Sequence, residues 1–179
     1  MKIGVDISQL SYENVGVSGY LSSFLNELLR IDKENEYIFF YSSLRGKLNT
    51  RNLDFLKKTN SKLKTFKFPP MFLDLIWNKF HVFPIENLIG DVDVFITSDW
   101  TEPPARKAKK ATILYDLVVY KYPKETDKKI VETQKRKLKW VKKESDIVFC
   151  ISKSTMEDAM KILGIEQSRL RTAYPGTVV

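Results

Sequence analysis

At 179 residues the chain has the length of one ordinary domain, and 43% hydrophobic against 29% charged residues is the balance of a globular protein, not a disordered or membrane-embedded one. No run approaches the roughly 18 uninterrupted apolar residues of a spanning helix, and the start MKIGVD, which already contains Asp6, is not that of a secretory signal. One cysteine, Cys150, and one histidine, His81, exclude an internal disulfide and a His/Cys metal cluster, so a cytoplasmic protein with neither cofactor nor metal is expected.

The first apolar run, IGVDI from Ile3, reads as a strand. It gives way to a polar stretch holding GVSG and then to Leu21, Phe24, Leu25 and Leu28, whose three- and four-residue spacing predicts an amphipathic helix over 19–31. Small residues where a strand hands over to a helix let the backbone approach a phosphate or sugar, and the helix start offers free N–H groups. Gly16 and Gly19 serve equally well as a plain turn, since the spacing fits neither the dinucleotide fingerprint nor a P-loop.

Further strand-like runs follow: YIFFY from Tyr37, LKTFKF from Leu63 and VDVFI from Val92. Between the last two, PPMFLDLIWNKFHVFP (69–84) carries a dense apolar stripe that suits either core or a helix facing lipid or an acceptor; His81 within it reads as a core or surface histidine. After VDVFI, TSDWTEPP gathers Ser98, Asp99, Trp100 and Glu102 at a strand's carboxyl end. Tryptophan among carboxylates suits carbohydrate, whose C–H faces stack on aromatics while its hydroxyls bond acids; a loop tryptophan buried under a helix is the plainer alternative. ATILYDLVV from Ala111 is the next strand, and Asp116, beside Tyr115 near its carboxyl end, either faces the same crevice or caps the next segment.

Residues 126–144 form a lysine-rich helix with Val131, Leu138 and Val141 inward. DIVFCI from Asp146 is a strand with Cys150 as an inert buried thiol, and Ser154 and Glu157 are spaced for a capping box on a helix stopped by Gly164. LRTAY from Leu170 closes the series before Pro175-Gly176. Near-continuous apolar strands alternating with helices predict an α/β fold: a Rossmann-like, mostly parallel sheet with helices on both faces. In such sheets ligands bind at the carboxyl ends of the strands. No nucleophile elbow or acid/base constellation accompanies the lone histidine, which argues against hydrolase chemistry.

The net charge of +8 is concentrated: residues 106–143 hold fourteen Lys and Arg against Asp116, Glu125, Asp127 and Glu132, a local +10. Nucleic-acid binding is disfavoured because no stacking aromatics or docking motif accompany the lysines. Contact with an anionic membrane or a lipid-diphosphate acceptor, and a merely solvated lysine face, both remain open.

Taken in order, IGVDISQL, GVSGYLSSFLNELL, DVDVFITSDWTEPP, ATILYDLVVYKYP and IVFCISKSTMEDAMKILGIEQSRLRTAYPG resemble the N-terminal domain of the family-4 retaining glycosyltransferases of two-Rossmann-domain (GT-B) architecture. The resemblance covers nearly the whole chain and implies an acceptor-binding domain over 1–174, with 175–179 beginning the linker to a C-terminal domain that holds the nucleotide-sugar donor. It implies that Gly16, Ser18 and Gly19 match the glycine-rich loop beside the donor diphosphate, that Asp116 matches the aspartate of the family's His-Asp pair, and that Tyr115 stands in place of the histidine. Ser98, Asp99, Trp100, Glu102 and Ser152 are the substrate-binding candidates. A sugar, polysaccharide or lipid-linked acceptor is implied, in a reaction needing neither metal nor general base, at the cytoplasmic face of the membrane if residues 106–143 touch it. A free-standing Rossmann-like module that binds a nucleotide or sugar is the other reading of the same residues.

Overall fold

The computed structural model describes residues 1–12, 16–46, 48, 53–98 and 100–176. Among these, seven strands form a single all-parallel sheet in the order β3-β2-β1-β4-β5-β6-β7. The strands are β1 (Lys2–Asp6), β2 (Glu36–Ser42), β3 (Ser61–Phe66), β4 (Val94–Thr97), β5 (Lys109–Leu114), β6 (Ile147–Cys150) and β7 (Leu170–Thr172). Helices α1 (Gly16–Ile31), α2 (Pro70–Leu73), α3 (Glu86–Ile89), α4 (Val118–Lys121), α5 (Lys128–Glu144) and α6 (Lys153–Asp158) lie between them. Both α2 and α6 run on into a π-helical stretch, Asp74–Lys79 and Ala159–Leu163 respectively. This is the doubly wound, Rossmann-like α/β fold expected from the alternation of apolar runs and helical periods.

Alternation along β2 explains the two layers. Tyr37, Phe39 and Tyr41 point to one face, where they meet Leu21, Leu25 and Leu29 of α1. Ile38 and Phe40 point to the other, against Leu73, Trp77, Ile85 and Ile89 of the α2–α3 region. On that second face α5 and the π-helical stretch after α6 cover β5 and β6 with Val131, Leu138, Val141, Ala159 and Leu163. A strand buried on both sides has no polar face to alternate, which is why these runs read as continuously apolar. Gly4 in β1 is required by space: a Cβ there would lie 2.7 Å from the Phe95 ring and 2.8 Å from the end of Ile89. The two edges differ from the centre, β3 being largely exposed and β7 only three residues long.

Several boundaries move. Helix α1 begins at Gly16, three residues before the expected start, so the GVSG stretch is its first turn. Strand β5 ends at Leu114, and the rest of the apolar run becomes α4, because Asp116 accepts the Val118 N–H at 2.9 Å and turns the chain. Helix α6 is capped by Ser152, not Ser154: the Ser152 hydroxyl accepts the Thr155 N–H at 3.0 Å, and Gly164, at φ +65°, ends the helical run as expected. The stripe at 69–84 splits, Leu73 and Trp77 being core while Met71, Phe72, Leu75 and Phe80 are exposed. No helix of the described residues is long and apolar enough to cross a membrane.

Candidate functional site

The chain leaves β1 towards β2 on one side and β4 towards β5 on the other, so the carboxyl ends of β1 and β4 border the topological switch point of the sheet. Asp6 is the last residue of β1, and the 3-10 turn Ser8–Ser11 brings Gln9 beside it; from the segment that follows β4 come Ser98, Trp100 and Thr101. A small cavity of about 40 Å³ lies among Asp6, Gln9, Ser42, Leu73, Trp100 and Thr101. Trp100 and Thr101 also wall a groove of about 360 Å³ between Met71 and α5. A third cavity, of about 340 Å³, runs from Trp100 past Val17 to Tyr115, Asp116 and Lys137. The largest on this edge, about 870 Å³, is lined by Gly16, Val17 and Gly19, by Tyr115 and Asp116, and by Tyr174, Pro175 and Gly176. Trp100 is therefore common to three contiguous spaces, and Asp116 to the two nearest the start of α1.

A buried polar chain lies under this rim. The Ser98 hydroxyl donates to Gln9 Oε1 at 2.8 Å and in turn accepts from the Tyr115 hydroxyl at 2.9 Å. The Lys137 ammonium, reaching in from α5, donates to the Ser98 carbonyl. Asp6 accepts the Ser8 N–H at 2.9 Å, and the Thr101 hydroxyl lies 3.5 Å from its other oxygen. Burial drives the Asp6 carboxyl above the usual carboxylate range, a rise the Ser8 contacts and the Lys137 charge only partly offset. Gln9 is 94% buried by its 6% exposure, and its Nε2 has no acceptor among the described residues, an uncompensated donor beneath the crevice.

The expected site residues separate into two groups. Gly16, Gly19, Trp100, Tyr115 and Asp116 meet around the cavities, and both glycines have open space where a side chain would stand. Ser18 is buried in the first turn of α1, and Asp99 lies outside the described residues. The Tyr115 hydroxyl is turned inward to Ser98, its ring set edge-on to Tyr20 at 5.6 Å. Glu102 is fully buried, accepting from the Thr97 hydroxyl at 2.5 Å and ion-paired with Lys110 at 3.0 Å, so its carboxylate serves the core. The Ser152 hydroxyl is engaged in capping α6. Of the expected linker 175–179, residues 177–179 lie outside the described region.

His81 is part of the scaffold: its ring stacks on Trp140 at 3.6 Å, and its two nitrogens meet the Trp77 carbonyl at 2.8 Å and Glu144 at 2.9 Å. Cys150 has no exposure, and burial pushes its thiol up to about 11. Among the described residues no group of His, Cys, Asp and Glu is placed to hold a metal ion. Nor is the basic segment one solvated face. Lys110 and Lys137 are buried, while Lys109 pairs with Asp146, Lys121 with Asp158 and Arg136 with Asp74.

Sequence reading missed Asp6, Gln9 and Lys137. A carboxylate ending an otherwise apolar strand was a usable sign for Asp6, and Lys137 falls at inward helical spacing with Val141, beside Leu138. Gln9 carries no periodic signal. No protein-family model matches this sequence, and a search of curated proteins finds no match.

Proposed function

We propose that this chain is the acceptor-side half of a metal-independent retaining glycosyltransferase, moving a sugar from a nucleotide-sugar to a sugar, polysaccharide or lipid-linked acceptor. The observation that carries this reading is the meeting of Gly16–Gly19, Tyr115–Asp116 and Tyr174–Gly176 around one open cavity of about 870 Å³. Those are the stretches in which the resemblance to the GT-B family lies, and they are far apart in sequence. In this reading the cavity is one wall of a cleft, and a donor-binding domain supplies the other.

The chemistry asks little of the side chains. In the retaining mechanism proposed for that architecture, the departing diphosphate takes the acceptor's proton on the same face, and the protein holds two substrates in line. The amino-terminal end of α1 carries the positive end of the helix dipole toward the developing negative charge, and Gly16 and Gly19 leave room for close approach. Trp100 offers a stacking surface, with Asp6 and Gln9 below it to accept from and donate to acceptor hydroxyls. Tyr115 braces Ser98 in this scheme instead of touching the sugar.

A binding module without catalysis is favoured by one observation, the use of the Tyr115 and Ser152 hydroxyls in internal hydrogen bonds. The two readings separate in one experiment. The full-length protein is incubated with UDP- and GDP-sugars and a panel of glycan and lipid-linked acceptors, and nucleoside diphosphate release is measured. The transferase reading expects release with at least one pair, reduced roughly a hundredfold by Gly19→Trp, at a cavity-lining position where an added Cβ meets nothing within 4 Å. Micromolar binding without release supports the binding module; neither release nor binding refutes both.

A further inference from the structure

Six apolar side chains stand exposed within one short stretch: Met71, Phe72, Leu75, Phe80, Val82 and Phe83, with Met71 81% and Phe80 59% accessible. They do not belong to a loose loop. The Asp74–Lys79 stretch and the loop after it are tied to α5 by three rungs. Asp74 meets Arg136 at 2.6 Å, the Trp140 indole donates to the Asn78 carbonyl at 2.7 Å, and His81 meets Glu144 at 2.9 Å. His81 and Phe83 are held at φ +54° and +67°, a region bulky residues rarely occupy, so backbone strain accompanies the display of these side chains.

The cations are placed around the same ridge. Lys79 lies over the Phe80 ring at 5.7 Å, while Lys139 and Lys143 lie over Trp140 at 5.2 and 4.9 Å. Asp74 and Glu144, the acids of the ladder, are each spent on an internal partner. An exposed apolar ridge flanked by lysines whose stems lie along aromatic faces fits a lipid headgroup boundary, whereas lysine is depleted from the cores of protein interfaces.

We infer that the Met71–Phe83 ridge, with Lys79, Lys139 and Lys143, docks this protein peripherally on an anionic lipid bilayer. The side chains at 71–83 enter the acyl boundary while the lysines meet headgroup phosphates. The inference stands apart from glycosyl transfer and survives its failure. It also narrows the membrane contact expected of residues 106–143 to the part of α5 beside the ridge; elsewhere in that segment Lys110 and Lys137 are buried and Lys109 and Lys121 are ion-paired.

The test is co-sedimentation of the 179-residue chain with phosphatidylcholine vesicles, with and without phosphatidylglycerol, at about 0.1 and 1 M salt. Binding is expected only with phosphatidylglycerol and weakens at the higher salt. Met71→Ser/Phe80→Ser and Lys139→Glu/Lys143→Glu are each expected to weaken it at least about tenfold, and Lys139→Arg/Lys143→Arg to retain it. Circular dichroism confirms that each variant is folded. No binding to phosphatidylglycerol vesicles overturns the proposal. So does binding that Met71→Ser/Phe80→Ser leaves unchanged, or a concentration-dependent dimer abolished by that pair in place of vesicle binding.

Discussion

Replacing Lys110 by Met tests how the interior is held together. The Lys110 ammonium, 4% exposed, sits between Glu102 at 3.0 Å and Glu144 at 3.1 Å. Glu144 can turn to solvent and to His81, but Glu102 has no exposure and would keep only the Thr97 hydroxyl and the Asn78 contact to its backbone. Breaking one side of a buried pair costs about 3–5 kcal/mol, because the remaining charge is left without compensation. Against a total stability of roughly 5–15 kcal/mol that is a large fraction. An unfolding entropy of about 2.1 cal/mol/K per residue over this length converts a 4 kcal/mol loss into a fall in Tm of about 10 °C. Urea and thermal unfolding of Lys110→Met, Glu102→Gln and the double variant measure the effect. The double variant is expected to recover about 2 kcal/mol of the summed single losses, since the orphaned charge is gone. A loss below about 1 kcal/mol in Lys110→Met, or strict additivity in the cycle, would refute the view of Glu102 as a buried charge dependent on Lys110.

Asp6 should respond in the opposite sense. Its folded-state pKa lies above the unfolded value, so the cost of ionising it is absent below about pH 3.9 and grows as pH rises toward the folded value. Asp6→Asn is therefore expected to be more stable than the parent at pH 8 with the gap closing towards pH 4, by urea melts at both; a gap independent of pH counts against it. If Asp6 receives an acceptor hydroxyl, the same variant binds acceptor more weakly, a gain in stability set against a loss of function. Tyr115→Phe should cost about 1 kcal/mol through loss of the Ser98 bond, yet leave transfer within about tenfold. A loss beyond a hundredfold would make Tyr115 a substrate contact after all. Cys150 should resist thiol reagents at pH 8 until the chain unfolds, and rapid native-state labelling would contradict its burial.

Strands β1 to β7 and the long helices were legible because burial leaves a repeating mark in sequence: Leu21, Leu25 and Leu29 face the core at helical spacing, and YIFFY is apolar throughout because both its faces are covered. What periodicity does not encode is which strand lies beside which, so the order that places β1 against β4, and with it the crevice at Asp6 and Ser98, had to come from the structure. Local chemistry misled at single residues. Glu102 looked like a ligand because a carboxylate near a tryptophan suits carbohydrate, and nothing local shows that Lys110 waits eight positions on. Ser152 took the cap expected of Ser154 because the strand ends at Cys150, one residue sooner than expected, and the helix starts at Lys153. Asp116 met both of its readings, turning the chain into α4 while lining two cavities.

The contrast between the sheet's two edges bears on how this protein behaves at high concentration. An open parallel sheet ends in unpaired N–H and C=O groups that invite a further strand from another molecule. At β3, Lys62 and Lys64 are both exposed on one face of the edge strand, so a second copy pairing along that edge brings like charges side by side. At β7 only Leu170–Thr172 are extended, too short a template to hold a guest strand, and Arg171 stands exposed in the middle. The sheet is thus open in connectivity but closed to growth, and crowding should leave its edges unpaired.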